Sequence, residues 1–127
     1  NLEKAEKIIC VGRGITKRED IQMAKELAEV LGGEVGCSRP IAEDYNWLPI
    51  ECYIGLSGQK VKPQLYLSMG VSGQVQHIAG LRDSKIIVGI DSNEHAPIFD
   101  SVDFGIIGDL YVIVPSLIEA VKNAKKN

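Results

Sequence analysis

The sequence predicts a three-layer, doubly wound α/β domain on a mostly parallel sheet, and three observations carry that expectation. Short, wholly apolar runs such as Ile8-Ile9-Cys10-Val11 and Ile86-Ile87-Val88-Gly89-Ile90 have the composition of strands covered on both faces. Between such runs, apolar residues recur three and four positions apart, as on the buried stripe of an amphipathic helix. The turns that end the runs carry Gly, Ser, Arg or Asp. They therefore place polar groups along the carboxyl rim, where open sheets of this class take their ligands.

Ile8–Val11 stops at Gly12-Arg13-Gly14. The third glycine of a Gly-x-Gly-x-x-Gly fingerprint is replaced by Lys17, so this stretch reads as a turn that starts the first helix. From Arg18 to Leu31, Ile21, Ala24, Leu27, Ala28 and Leu31 mark one helical face, ended by Gly32-Gly33. Glu34-Val35-Gly36-Cys37 reads as the second strand, and Ser38-Arg39-Pro40 lies at its carboxyl end. Ile41 to Asp44 forms one helical turn, and Tyr45-Asn46-Trp47-Leu48-Pro49-Ile50 reads as a packed loop. Tyr53 to Val61 turns around Ser57-Gly58-Gln59 after a very short strand.

The centre of the chain is Leu65 to Gly80. Alternating apolar residues lead into Gly70-Val71-Ser72-Gly73, and a short helix follows with Gln74, Gln76 and His77 in its first turns. Gly70 and Gly73 put no side chain in the way, so backbone N–H groups there can approach an anion such as a phosphate. Lys85 to Asp91 is the clearest strand, with both faces buried by its composition. A helical turn is expected near His95-Ala96-Pro97-Ile98-Phe99, with His95 itself a loop residue. Phe104 to Leu110 forms the last strand, Tyr111-Val112-Ile113-Val114 follows it, and Pro115 opens a closing helix with Leu117, Ile118 and Val121 on one face.

Composition narrows the function classes. The 127 residues suffice for one domain with a real core, and 45% apolar with 24% charged residues is the balance of a soluble globular protein. A net charge of −3 with no basic stripe argues against a nucleic-acid surface, and no run is long enough for a membrane span. Cys10, Cys37 and Cys52 have no metal-ligand spacing. An odd number of cysteines without a signal-like segment points to a reducing compartment, the cytoplasm. The start, Asn1 to Lys7, lacks Met and runs straight into a strand, as in a domain cut from a longer chain. No second ligand stands near His77, so no metal site is expected. Ser72 lies outside a Gly-x-Ser-x-Gly elbow, which argues against hydrolase chemistry.

Ser38-Arg39-Pro40, Gly55-Leu56-Ser57-Gly58-Gln59, Gly70 to Gly80, Ala96-Pro97-Ile98-Phe99 and Asp103 to Leu110 occur in an order that resembles the carboxy-terminal FAD-binding domain of the electron transfer flavoprotein alpha subunit. The resemblance implies a nucleotide-binding fold of the DHS-like NAD/FAD-binding type, occupying residues 1–127 as a single domain. It implies non-covalent FAD and an electron carrier rather than a stand-alone enzyme. The implied partners are a beta subunit and a flavoprotein dehydrogenase.

The family's roles fall on this chain as follows. Arg39 matches the arginine over the flavin ring, with Ser38 beside it. Ser57, next to Gly58, matches a hydroxyl residue, more often threonine, near the redox nitrogen. Gln74 lies in the turn, and Gln76 and His77 match the pair near the ring and ribityl chain, His77 at the pyrimidine carbonyl. Ser72 with Gly70 and Gly73 matches the pyrophosphate turn. Asp91 stands where asparagine is common in the adenosine part, and Asp109 matches an acidic residue at the ribose. Arg39, Ser57 and His77 are thus the expected redox-tuning residues.

Two departures follow. Ser57 keeps the hydroxyl and loses a methyl, whereas Asp91 cannot donate as asparagine does and adds a negative charge. The stretch Glu43 to Trp47 resembles versions found in anaerobic organisms, some of which take part in electron bifurcation. One alternative is an adenine-nucleotide-binding module without flavin redox activity. Another is an NAD-dependent oxidoreductase domain, against which the incomplete glycine fingerprint counts. Apolar surface that belongs against missing partners can also pair two copies of an isolated domain into a homodimer.

Overall fold

Five strands, β1 (Lys7–Val11), β2 (Glu34–Cys37), β3 (Leu65–Met69), β4 (Ile86–Asp91) and β5 (Phe104–Ile107), form one parallel sheet in the spatial order β2-β1-β3-β4-β5. The computed structural model describes residues 1–126. The chain moves outward from β1 to β2 and then crosses back to β3 on the other side of β1. The β1/β3 boundary is therefore the topological switch point, where a crevice opens beyond the carboxyl ends. Register aligns Val11 with both Cys37 and Met69, and Met69 with Ile90, so these strands end level.

Alternation divides each strand between two cores. Ile9, Val11, Leu67, Met69 and Ile90 face α1 (Ile21–Leu31) and α4 (Leu110–Lys125), which pack against each other on that side. Ile8, Cys10, Tyr66 and Ile87 form the opposite core with Leu2, Ile54, Val61, Val71 and Leu81. This second layer is built from short pieces: α3 (Val75–Ile78), 3-10 turns and the loop that contains Ile54 and Val61. Between β2 and that loop lies α2 (Arg39–Glu43).

The first helix follows its apolar spacing, with Ile21, Ala24, Leu27 and Ala28 buried, and it ends at Gly32 in the left-handed region with φ +76°. Its expected opening at Arg18 is a separate 3-10 turn, Arg18–Asp20. The closing helix departs further from expectation. It begins at Leu110, with Asp109 Oδ1 accepting from Tyr111 N at 2.9 Å, and Pro115 lies inside it. Tyr111 to Val114 has strand-like residue types, but burial at Leu110, Val114 and Ile118 recurs every four residues, and packing on α1 selects helix.

β5 is an edge strand exposed along its whole length, Phe104 by 65% and Ile107 by 59%. Ile86 likewise is exposed at the start of β4, and Val88 and Asp91 are half-buried, so full burial in that strand holds only for Ile87, Gly89 and Ile90. The three cysteines are free thiols. Among the described residues, no helix is long and apolar enough to cross a membrane.

Candidate cofactor-binding site

A cavity of about 590 Å³ opens at the switch point. Its floor is a backbone junction, where Gly12 N donates to Met69 O at 3.2 Å and Gly14 N donates to Gly70 O at 2.9 Å. Gly70 adopts φ +71°, which an L side chain rarely tolerates, and this bend turns the chain from β3 into the Val71–Gln74 segment. Among the described residues, no acceptor in the chain meets the amides of Val71, Ser72, Gly73 and Gln74. A smaller hollow of about 360 Å³ adjoins the cavity, sharing Gly14, Gly70 and Asp91 and reaching Gly108, Asp109 and Tyr111.

Ser38 and Arg39 from the end of β2, Gly70, Ser72, Gly73, Gln74, Gln76 and His77 from the central turn, and Asp91 from the end of β4 all line the larger cavity. Asp109 lines the adjoining hollow. Ser57 and Gly58 line neither. They adjoin Tyr53, which does: Ser57 Oγ is 3.2 Å from the Tyr53 hydroxyl, and a Cβ on Gly58 would lie 2.5 Å from Tyr53 O.

The lining also includes Arg13, Gly14, Pro40 and Val71, which pattern reading passes over. Arg13 and Gly14 follow β1 directly, so the switch-point rule was the signal that could have found them. Gly12-Arg13-Gly14 is a turn, as the sequence predicts, and two of its residues also line the cavity.

Charge is unevenly distributed. Arg13, Arg39 and Asp91 line the larger cavity, whereas the charged residues of the smaller hollow are Asp91, which the two share, and Asp109. Arg39 Nε donates to Glu43 Oε2 at 2.7 Å, one turn along α2, and this bond together with the Glu43 charge raises the arginine's already high pKa. The Arg39 side chain is 61% exposed, so the pair is weakly held and solvent-screened. Arg13 makes no ion pair among the described residues. One oxygen of each acid is already used locally: Asp91 Oδ1 accepts from Asn93 N and Asp109 Oδ1 from Tyr111 N, both at 2.9 Å.

His77 meets the site differently from the expectation that its ring donates to a ligand carbonyl. Only 6% of the residue is exposed, and both ring nitrogens are engaged inside the protein. Nδ1 lies 2.8 Å from Ile54 O, which can only accept, so Nδ1 carries the proton. Nε2 then accepts from the Tyr66 hydroxyl at 2.6 Å, with Cys10 Sγ at 3.8 Å. Burial pulls the His77 pKa down to about 4 against the opposing Ile54 bond, and burial pushes the Cys10 thiol up to about 12. The cluster is neutral at physiological pH. Among the described residues, no group of His, Cys, Asp and Glu could hold a metal ion.

Comparison with known proteins identifies the family. The family model described as the electron transfer flavoprotein FAD-binding domain matches residues 1–82. The Escherichia coli protein named as an electron transfer flavoprotein subunit, YdiR, is 51% identical over 93% of this chain and 38% of its own length. FixB proteins of Escherichia coli O139:H28 and O9:H4 are 45% and 44% identical over 95% of this chain and 39% of theirs. The chain thus spans about two-fifths of the length of these relatives. Among solved structures, a Mycobacterium smegmatis protein described as a thiamin diphosphate-dependent enzyme superposes with a TM-score of 0.53 at 17% identity, over 93% of this chain and 25% of that one, and shares the fold alone. From the family match over most of its length and from relatives at half identity, this chain belongs to the electron transfer flavoprotein FAD-binding domain family.

Proposed function

We propose that the chain holds one FAD non-covalently along the two adjoining hollows and acts as an electron carrier domain, not as a stand-alone enzyme. The observation that carries this reading is the division of charge across the switch point. Arg13, Arg39 and the unpaired Val71–Gln74 amides suit a diphosphate and an electron-rich ring. Asp109, which lines only the smaller hollow, is an acceptor suited to a ribose hydroxyl, while Asp91 is shared by both hollows and disfavours phosphate. The Gly12–Gly14 and Gly70 junction leaves backbone, not side chain, as the floor between the two halves. The residues present therefore fit the cofactor.

Bound FAD supplies reversible one- and two-electron chemistry, and the protein's part is position and electrostatics. Ser38, Ser72, Gln74, Gln76 and Asp109 bind and orient through hydrogen bonds, and Ser57 contributes by holding Tyr53. Arg39, which lines the larger cavity, would supply a charge that cannot be lost by deprotonation and so favour the reduced, more negative form of the ring. Supported by relatives that span more than twice this length, we assign the chain to a longer alpha-type subunit. Its partners would be a beta subunit and a flavoprotein dehydrogenase, and its three free thiols suit the cytoplasm.

The test is the visible spectrum of the purified chain before and after FAD addition and desalting. Retained flavin bands are the expected result. A colourless chain that instead retains an adenine nucleotide would favour the module without flavin redox activity, and one that retains neither would overturn the site.

A further inference from the structure

The cavity has two walls that belong to different parts of the chain. One is the loop that carries Tyr53, and the other is the turn and α3 that carry Gln74 and Gln76. Just beyond α3, Val61 N of the loop donates to Gly80 O at 2.7 Å, and the walls themselves meet nearer the cavity. At the surface of the junction, Leu56 N donates to Gln76 O at 2.7 Å. Beneath it, in the core, a chain of hydrogen bonds runs from β3 through α3 to the loop: Tyr66 O–H to His77 Nε2, and His77 Nδ1–H to Ile54 O.

We propose that Tyr66 is a positioning residue of the cofactor site: its hydroxyl fixes the tautomer of His77, and that tautomer ties the Tyr53 wall to the Gln74–Gln76 wall. The logic is one of donors and acceptors. Ile54 O can only accept, so the bond across the junction needs a proton on Nδ1. A neutral imidazole with its proton on Nδ1 needs a donor at Nε2, and Tyr66 supplies it at 2.6 Å from the rigid centre of the sheet, where the residue is fully buried. Cys10, at 3.8 Å, is a weak and distant substitute. Without the hydroxyl, Nε2 would be a buried acceptor with poor company. The alternative tautomer, with its proton on Nε2, would set the Nδ1 lone pair against Ile54 O and push the walls apart.

Tyr66 touches neither hollow, so its effect on a ligand can only pass through His77. The low His77 pKa supports the arrangement, since the ring stays neutral and the direction of the relay does not change across the physiological range. The inference rests on the cofactor reading for its consequence, but not for its geometry.

The experiment combines ¹⁵N-labelled histidine spectra, amide exchange at Leu56 and FAD titration on wild type and Tyr66→Phe. In wild type, His77 should show a protonated Nδ1 and a bare Nε2, unchanged on adding FAD. A proton on Nε2, or a switch of tautomer with FAD, would overturn the proposal even if the variant fails to fold. In folded Tyr66→Phe, mixed tautomers, at least tenfold faster exchange at Leu56 and FAD binding weaker by about fivefold or more are expected. Unchanged tautomer, exchange and affinity in that variant would also overturn it. A wild type that takes up no FAD overturns the cofactor reading alone, and the tautomer and exchange results then still decide the role of Tyr66 in joining the walls.

Discussion

Gly14 and Gly70 touch so closely that a Cβ built on either would lie 2.6 Å from the Cα of the other. Both neighbours are backbone, so neither can move aside. The contact joins the carboxyl end of β1 to that of β3 and makes a floor shared by the two hollows. Gly70→Ala adds the left-handed φ to the clash and should cost about 2 to 5 kcal/mol of stability. Gly14→Ala has only the clash and should cost less. Urea unfolding of the two variants checks the order; equal and small losses would mean that the junction relaxes.

Arg39 and Glu43 form an exposed pair whose geometry a bound flavin would compete for. With FAD bound, Arg39→Ala should lower the reduction potential by on the order of tens of millivolts. Glu43→Gln leaves the guanidinium without its neutralising partner and should shift the potential the opposite way. Anaerobic dye-equilibrated titration reads both. Unchanged potentials in loaded protein would remove Arg39 from redox tuning.

Asp91 is common to both hollows and carries the charge least suited to a diphosphate. Asp91→Asn keeps an oxygen able to accept from Asn93 N and removes that charge. FAD should bind roughly three- to tenfold tighter, with the gain shrinking as salt is raised. Weaker binding of the Asn variant would instead show that the carboxylate holds a hydroxyl of the ligand.

Burial of neutral His77 links stability to pH. Its pKa is near 6.5 in the unfolded chain and about 4 in the fold, so between these values the unfolded state binds more protons. The stabilisation is complete above about pH 6.5 and is lost as pH falls toward 4, by about 3 kcal/mol in all. Denaturant midpoints across this interval should decline in wild type and decline less in His77→Gln. Parallel curves would show that His77 contributes no such linkage.

Most of the architecture was legible because it rests on local repetition. The run at Ile8–Val11 was readable as a buried strand, the alternation at Leu65–Met69 as a strand, and the spacing of Ile21, Ala24, Leu27 and Ala28 as a helix. Ser38, Arg39, Ser72, Gln74 and Asp91 could be placed at the rim because each follows or lies near the end of an apolar run. The closing helix is expected to open at Pro115 but starts at Leu110, because Val112, Ile113 and Val114 carry no helical signal of their own and packing on α1 decides their state.

By itself, then, the sequence determined the alternation of strand and helix, the polar carboxyl rim and the motifs that carry the family. Only the tertiary structure decided that Ser57 pairs with the Tyr53 hydroxyl, that Arg13 lines the cavity, and that the His77 ring turns inward to Tyr66 and Ile54. Strand and helix patterns are set by neighbours within a few residues. The direction of a polar side chain is set by whichever donor or acceptor the fold brings to it, and for His77 those partners are 11 and 23 positions away in the chain.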